Sequence, residues 1–170
     1  MQVFIPHGLT RYSIRCLDNK RLGKQRVECL QILNALQGKS KGWRHHPATL
    51  MFHGAEEALK IMGDWAIAEW VRRGYVNNME PFSHQPVGIM ERVPSEFWPE
   101  WYSDEELRVK VKESHRLNLL RKDFDYYFKQ FFRSLTDCEP YTKEVAENAQ
   151  YVWPVTLDDI KVKEVLSICP

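Results

Sequence analysis

The sequence contains no long apolar run, and none of its apolar stretches approaches the roughly 18 residues that a membrane-spanning helix needs. Its first seven residues lack the basic region and the long apolar stretch of a secretory signal peptide. The four cysteines are scattered without CxxC spacing, which argues against a zinc site or a disulfide framework and favours reduced thiols. These absences predict a cytoplasmic protein that uses no membrane, no metal and no other cofactor.

Internal repeats, low-complexity tracts and Gly/Ser-rich linkers are also missing, so residues 1–170 are expected to form a single domain, with a monomer favoured. Apolar residues recur at three- and four-residue steps, which is typical of amphipathic helices. The expected fold class is mainly α: a compact helical domain of three principal helices, with a proline-rich connecting loop over residues 77–102 and a short C-terminal helical extension. The three principal helices are predicted at residues 17–37, 55–73 and 103–121.

Local signals mark where these helices begin and end. Gly38 and Gly74 follow the first two helices as C-terminal caps. Ser103, with an acidic residue three positions later, has the form of a capping box for the third helix. Asp123 is positioned to cap an aromatic-rich turn over residues 124–132, and a last short helix is predicted from Thr156. Strand signals are confined to Val3–Ile5.

Charge is unevenly distributed along the chain. Residues 1–53 contain nine Lys and Arg residues and two acidic residues, a net charge of +7, whereas the remainder carries −6 and the whole chain only +1. A nearly neutral protein with one basic pole can hold a polyanion there and remain soluble. The alternative is that the two poles neutralise each other within the fold.

The first predicted helix has a charged face that contains one carboxylate. At about 100° per residue, Arg21, Lys24 and Glu28 lie on one side, Lys20 lies at its edge, and Arg26 lies closer to the apolar stripe. Cations on a helix face suit phosphate binding, and a carboxylate among them calls for a reason, such as acid–base or transition-state chemistry. The alternative is a simple i,i+4 pair between Lys24 and Glu28, which contributes only about 0.2–0.5 kcal/mol.

Two further groups of residues are candidates for contacts with DNA. The first follows Trp43 and comprises histidines and an arginine that suit phosphates or bases, although loop histidines beside a proline are often structural: Arg44, His45 and His46. The second combines cations at a helix end with tyrosines that suit base stacking, although aromatic residues at this spacing also commonly form core: His115, Arg116, Arg121, Lys122, Tyr126 and Tyr127.

Three segments in this order resemble the pyrimidine-dimer DNA glycosylase family, the small helical repair enzymes also called dimer-specific endonuclease V. Leu17, Lys20 and Leu22 followed by Glu28 match the family's first helix without a gap. Residues 46–75 resemble its second helix, with a leading proline and an Arg-Gly-aromatic end, and residues 121–127 resemble its C-terminal basic and aromatic run. Residues 20–28 are most similar to a group labelled dimer-glycosylase-like, and residues 134–170 lie outside the resemblance.

The resemblance implies a helical enzyme that cuts the N-glycosidic bond of a damaged pyrimidine. In the family, the α-amine exposed by Met removal attacks the sugar C1′, a Schiff base forms, and β-elimination can nick the strand. The resemblance places the catalytic glutamate at Glu28. The bulky Gln2 blocks Met removal, so the amine that the resemblance implies is the α-amine of Met1. An α-amine has a pKa of about 7.7–8.0 and is partly neutral at cellular pH.

The sequence departs from the family pattern in two places. Counted from Glu28, the N-terminus carries about five extra residues, and Val27 stands where the family has arginine, with Arg26 one residue earlier. Two alternatives to the N-terminal amine follow: Glu28 activates water, or a lysine of lowered pKa, Lys20 or Lys24, supplies the amine.

Three functions therefore remain under comparison. The leading one is a base-excision DNA glycosylase, with or without AP-lyase activity, that acts on damaged or modified pyrimidines in duplex DNA and lies at the nucleoid when bound. The second is a non-catalytic DNA-binding protein on the same scaffold. The third is an interaction protein whose basic pole meets an acidic protein.

Overall fold

Two long helices packed against each other form the frame of the fold, in a computed structural model that describes residues 2–83, 92–132 and 141–160. They are α2 (Asn19–Leu36) and α4 (Glu56–Arg72), and a third long helix is α5 (Glu105–Lys122). These are the three principal helices that the sequence predicts. Shorter helices complete the fold: α1 (Thr10–Arg15), α3 (Pro47–Leu50), α6 (Phe124–Phe131) and α7 (Lys143–Glu147). The described residues contain no strand, so the mainly α prediction is confirmed.

Side-chain caps set the helix boundaries. The Asp18 carboxylate accepts the Arg21 N–H at 3.0 Å and begins α2, and the predicted cap Asp123 accepts the Tyr126 N–H at 3.1 Å and begins α6. The predicted cap of α5 was wrong by one residue: Asp104 accepts the Leu107 N–H, while the Ser103 hydroxyl donates to the Glu100 carbonyl within a preceding 3₁₀ turn. Gly38 and Gly74 have φ of 72° and 88°, which a glycine adopts without strain.

Two hydrophobic clusters hold the helices together. One contains Phe52, Leu59 and Met62, with Trp101 packed on them, and the other contains Leu17, Leu22 and Leu119. Residues 141–160, called the C-terminal part below, contact both clusters, because Tyr151 packs on the second cluster and Trp153 packs on the first. The helix predicted from Thr156 is present as residues 157–160, while residues 84–91, 133–140 and 161–170 lie outside the described part.

The strand signals at Val3–Ile5 do not lead to a strand, and the physical reason matters for the site. These residues are buried in an extended segment, but their backbone hydrogen bonds go to side chains of α2 and α5. No helix among the described residues is long and apolar enough to cross a membrane.

Candidate functional site

The basic face of α2 forms one side of a pocket of about 390 Å³. Glu28 lies in this pocket together with residues from the N-terminal segment, the end of α5 and the C-terminal part. The lining residues are Gln2, Phe4, Lys20, Arg21, Lys24, Gln25, Glu28, Lys122 and Tyr151. A larger cleft of about 850 Å³ at the other end of α5 contains none of the predicted site residues, so the Glu28 pocket is the better candidate site.

Glu28 is almost fully buried, with 4% of its surface exposed, although its neighbours on the helix face are charged and open to solvent. Lys24 Nζ lies 3.5 Å from Oε1, which confirms the predicted i,i+4 pair. The backbone N–H of Gln2 donates to Oε2 at 3.2 Å. A surface ion pair therefore accounts for one carboxylate oxygen only, and the other oxygen is held by the N-terminal segment.

The N-terminal segment folds back onto the site because two buried polar side chains replace a partner strand. The Gln25 carboxamide accepts the Phe4 N–H at 2.9 Å and donates to the Phe4 carbonyl at 3.2 Å. The Ile5 N–H donates to His115 Nδ1 at 3.0 Å. Gln25 is 1% exposed and His115 is fully buried, so these bonds are shielded from water. The extra N-terminal residues therefore lead to Glu28.

The prediction that His115 contacts DNA is wrong, because a fully buried ring cannot reach DNA. Burial lowers the pKa of His115 to about 3, so the ring is neutral at physiological pH. The prediction that Tyr127 stacks on DNA bases is wrong for the same reason. Tyr127 is fully buried, and its hydroxyl donates to Asp18 at 2.6 Å. Both side chains hold elements together beneath the site.

Four cations surround the mouth of the pocket: Lys20, Arg21 and Lys24 from α2, and Lys122 from the end of α5. Arg21 is also bound to Asp18 at 3.1 Å, whereas Lys24 is 72% exposed. The pKa of Lys122 is lowered, first by partial burial of its ammonium and then by the charges of neighbouring Arg and Lys side chains. Together these cations produce a positive electrostatic potential at the pocket, and a bound phosphate would reduce the repulsion between them.

Most of the other predicted residues lie outside the pocket. Arg26 stacks over Trp70 at 4.2 Å and donates to Asn77, as expected for a cation near the apolar stripe. Arg116 is bound to the Pro6 carbonyl and to Glu113. Arg121 donates to the Ala149 carbonyl, and Tyr126 is partly buried on α6.

The histidine group after Trp43 divides into a structural and an exposed part. His46 Nδ1 accepts the Ala48 N–H at 3.1 Å and caps α3, which agrees with the structural alternative. Burial lowers the pKa of His46, and the charge of Glu28 opposes that effect. Arg44 and His45 are exposed to solvent.

Sequence reasoning missed four of the pocket residues: Gln2, Phe4, Gln25 and Tyr151. Gln25 was detectable in principle, because it is a polar residue on the apolar stripe that contains Leu22 and Cys29. His115 interrupts the stripe of α5 in the same way, between Val111 and Leu119. Gln2 and Tyr151 carry no such signal, since only the tertiary fold brings them to Glu28.

Comparison with known proteins gives one match. The family model described as pyrimidine dimer DNA glycosylase matches residues 1–82, which include α2, α3 and α4. The predicted family resemblance is confirmed over this part of the chain. No curated protein and no solved structure matches the chain.

Proposed function

Because residues 1–82 match the pyrimidine dimer DNA glycosylase family, we propose that this chain is a DNA N-glycosylase that removes damaged or modified pyrimidines from duplex DNA. The observation that carries the proposal is the buried Glu28 at a basic pocket, with the N-terminal backbone hydrogen-bonded to its carboxylate. Because Glu28 is only 4% exposed, we propose that the target nucleotide leaves the stacked helix to reach it.

Two chemical roles follow for Glu28. As the N-glycosidic bond breaks, the sugar develops positive charge, and a fixed carboxylate stabilises that charge more in the transition state than in the ground state. The cations around the pocket hold the flanking phosphates, and that interaction does not depend on base identity. The lesion itself is selected by what fits between Phe4, Gln25 and Tyr151.

The N-terminal amine is the nucleophile that we propose. Three covalent bonds separate the Met1 nitrogen from the Gln2 nitrogen, which limits their distance to less than about 4.3 Å. Because the Gln2 nitrogen is 3.2 Å from Glu28 Oε2, the amine of a chain that begins at Met1 stays close to the carboxylate. In the proposed step the amine lone pair bonds to C1′, the glycosidic electron pair leaves with the base, and the base takes up a proton. The amine then loses a proton, its lone pair forms the C1′=N bond as the C1′–O4′ bond breaks, and O4′ takes up a proton, which gives the ring-opened Schiff base that precedes β-elimination.

Substitution of Glu28→Gln tests the catalytic role. We expect it to abolish base release, and to leave affinity for duplex DNA equal or higher, because one negative charge near phosphate is removed. The matched control is Glu106→Gln, since Glu106 and Lys110 form another i,i+4 pair, on the exposed side of α5. The measurements are single-turnover cleavage of the N-glycosidic bond in a duplex with a thymine dimer, and the thermal unfolding midpoint.

Borohydride trapping identifies the nucleophile. A covalent adduct with an abasic-site duplex that disappears after N-terminal blocking assigns the amine, whereas an adduct that survives blocking assigns a lysine of the pocket. Base release without any adduct indicates attack by water. If no pyrimidine lesion is released and duplex binding is intact, the enzyme proposal is refuted in favour of the non-catalytic alternative. If Glu28→Gln and Glu106→Gln differ only in stability, the Glu28 assignment is refuted.

A further inference from the structure

Trp43 is a large aromatic residue held in an exposed and strained position. Its side chain is 55% exposed, and its φ of 66° is the only positive value for a non-glycine residue in the described part of the chain. Glycine is favoured at such a backbone conformation, and a bulky residue there is strained. The turn is nevertheless fixed, because the His46 N–H donates to the Trp43 carbonyl at 3.1 Å. Strain that a fold retains at an exposed ring points to a use for that ring.

The surroundings of Trp43 are cationic. Residues 29–55 contain no acidic residue, and Lys39, Lys41, Arg44 and His45 are all exposed or nearly so. A protein partner for this surface would have to be acidic throughout the contact. Nucleic acid has both required properties, since its phosphates match the cations and its bases match the indole ring.

A row of aromatic rings connects Trp43 with the Glu28 pocket. The ring centroids of Trp43 and His46 are 5.2 Å apart, those of His46 and Trp153 6.0 Å, and those of Trp153 and Tyr151 5.3 Å. Tyr151 lines the pocket, so the two ends of the row are the exposed indole and the site itself. A DNA strand that enters the pocket therefore passes the row within a few nucleotides.

We propose that Trp43 stacks on the bases of the DNA beside the nucleotide that is drawn into the Glu28 pocket, and so stabilises the opened helix. This inference rests on the proposed function, because it assumes that the pocket receives a nucleotide from duplex DNA. Extrusion of a nucleotide leaves a gap in the stack, and an aromatic ring restores part of the lost stacking. His46 packs against the Trp43 ring, and the row continues through Trp153 to Tyr151, so the extruded strand meets aromatic rings along its path to the pocket.

Three substitutions at one position test the proposal. Trp43→Ala and Trp43→Gly should weaken binding to a duplex that carries a stable abasic analogue by about 5- to 150-fold, the range for loss of one stacked base, whereas Trp43→Phe should retain most of the affinity. Trp43→Gly should also keep or raise the thermal unfolding midpoint, because glycine relieves the positive φ. A merely structural role predicts the opposite for Trp43→Gly, namely lower stability.

The matched control is Tyr12→Ala, because Tyr12 is an aromatic residue of similar exposure, 53%, outside the row. Its affinity for the same duplex should not change. A 2-aminopurine next to the abasic analogue should be quenched by the wild type and by Trp43→Phe, but not by Trp43→Gly. Equal losses for Trp43→Ala and Tyr12→Ala would overturn the proposal, as would unchanged affinity in Trp43→Gly.

The outcomes also separate this inference from the proposed function. If the wild type binds the duplex through Lys20 and Lys24 but does not respond to Trp43 substitution, only the role of Trp43 is refuted. If the wild type does not bind duplex DNA and binds an acidic protein through this surface, both are refuted.

Discussion

At the scale of single residues, the proposed chemistry of the pocket depends on one carboxylate, Glu28, which is held from two sides. Lys24 approaches Glu28 from solvent, and the Gln2 backbone approaches it from the interior. The lysine is flexible and screened by water, so it contributes little to stability. The hydrogen bond from the backbone N–H is directional and partly buried, and it fixes where the carboxylate points. Only the second contact links the acid to the proposed nucleophile.

Lys122 differs from Lys110, in the N-terminal half of α5, in a way that can be measured. Partial burial and the nearby cations lower the pKa of Lys122, whereas the Glu106 carboxylate raises the pKa of Lys110 on the same helix. A lower pKa means more neutral amine at pH 8, so we expect an acylating reagent to label Lys122 faster than Lys110. Competitive labelling followed by mass spectrometry gives the ratio of the two rates.

The comparison is demanding because Lys110 is itself an exposed amine, with 58% of its side chain accessible to solvent. Added salt should reduce the ratio, since it screens the repulsion that lowers the Lys122 pKa. Faster labelling of Lys110 at low salt would show that the cation cluster does not perturb Lys122.

At the scale of elements, α2 was predictable and the N-terminal segment was not. The periodicity of α2 places Lys20, Lys24 and Glu28 on one side whatever the rest of the chain does. The path of residues 2–7 depends instead on His115, more than a hundred residues away in sequence, and on Gln25 turning inward. Such long-range pairing between backbone and side chains has no periodic signature. The strand-like composition of Val3–Ile5 correctly indicates that these residues are buried. It wrongly indicates that their backbone pairs with another strand, because their partners are side chains.

Gln25 is therefore expected to position the N-terminus. Gln25→Ala leaves the N–H and the carbonyl of Phe4 buried without partners, which costs about 1–3 kcal/mol for each such group. We expect a lower free energy of unfolding and a lower rate of borohydride-trapped adduct at saturating DNA, with little change in DNA affinity. The conservative variant Gln25→Asn should restore neither, because its shorter side chain does not reach Phe4.

The control for this prediction is Gln31→Ala, an exposed glutamine on the same helix. Its unfolding free energy and adduct rate should equal those of the wild type. An adduct rate that is unchanged in folded Gln25→Ala would mean that the N-terminal segment does not deliver the nucleophile.

At the scale of the whole molecule, the N-terminal half supplies the basic face and the C-terminal half supplies the support beneath it. Of the nine cations of residues 1–53, three line the pocket and three lie within four residues of Trp43 in sequence. The two poles do not simply cancel by pairing there, because Lys20, Lys39 and Arg44 have no ion pair among the described residues. The second half contributes Lys122 and Tyr151 to the pocket and places His115 beneath it. Glu28 therefore has its surroundings only when α2, the end of α5 and Tyr151 are packed together.

The buried histidines His115 and His7 predict how the free energy of unfolding changes with pH. Burial lowers the pKa of His115 to about 3, and burial together with Arg116 lowers that of His7 to about 4, whereas both histidines titrate near 6.5 in the unfolded chain. As the pH falls below 6.5, the unfolded state takes up protons that the folded state does not. The stabilisation is therefore complete above pH 6.5 and is lost progressively toward pH 3, by about 1.4 kcal/mol per pH unit for each histidine.

Urea unfolding between pH 6.5 and 5.5 measures this slope, because carboxylates stay ionised in both states over that interval. His115→Asn keeps an acceptor near the Ile5 N–H but removes the titrating ring, so its unfolding free energy should depend on pH less steeply than that of the wild type. His53→Asn, at an exposed histidine, should leave the slope unchanged. A slope in His115→Asn equal to that of the wild type would mean that His115 is not a buried neutral support, and the N-terminal segment would then need another anchor to reach Glu28.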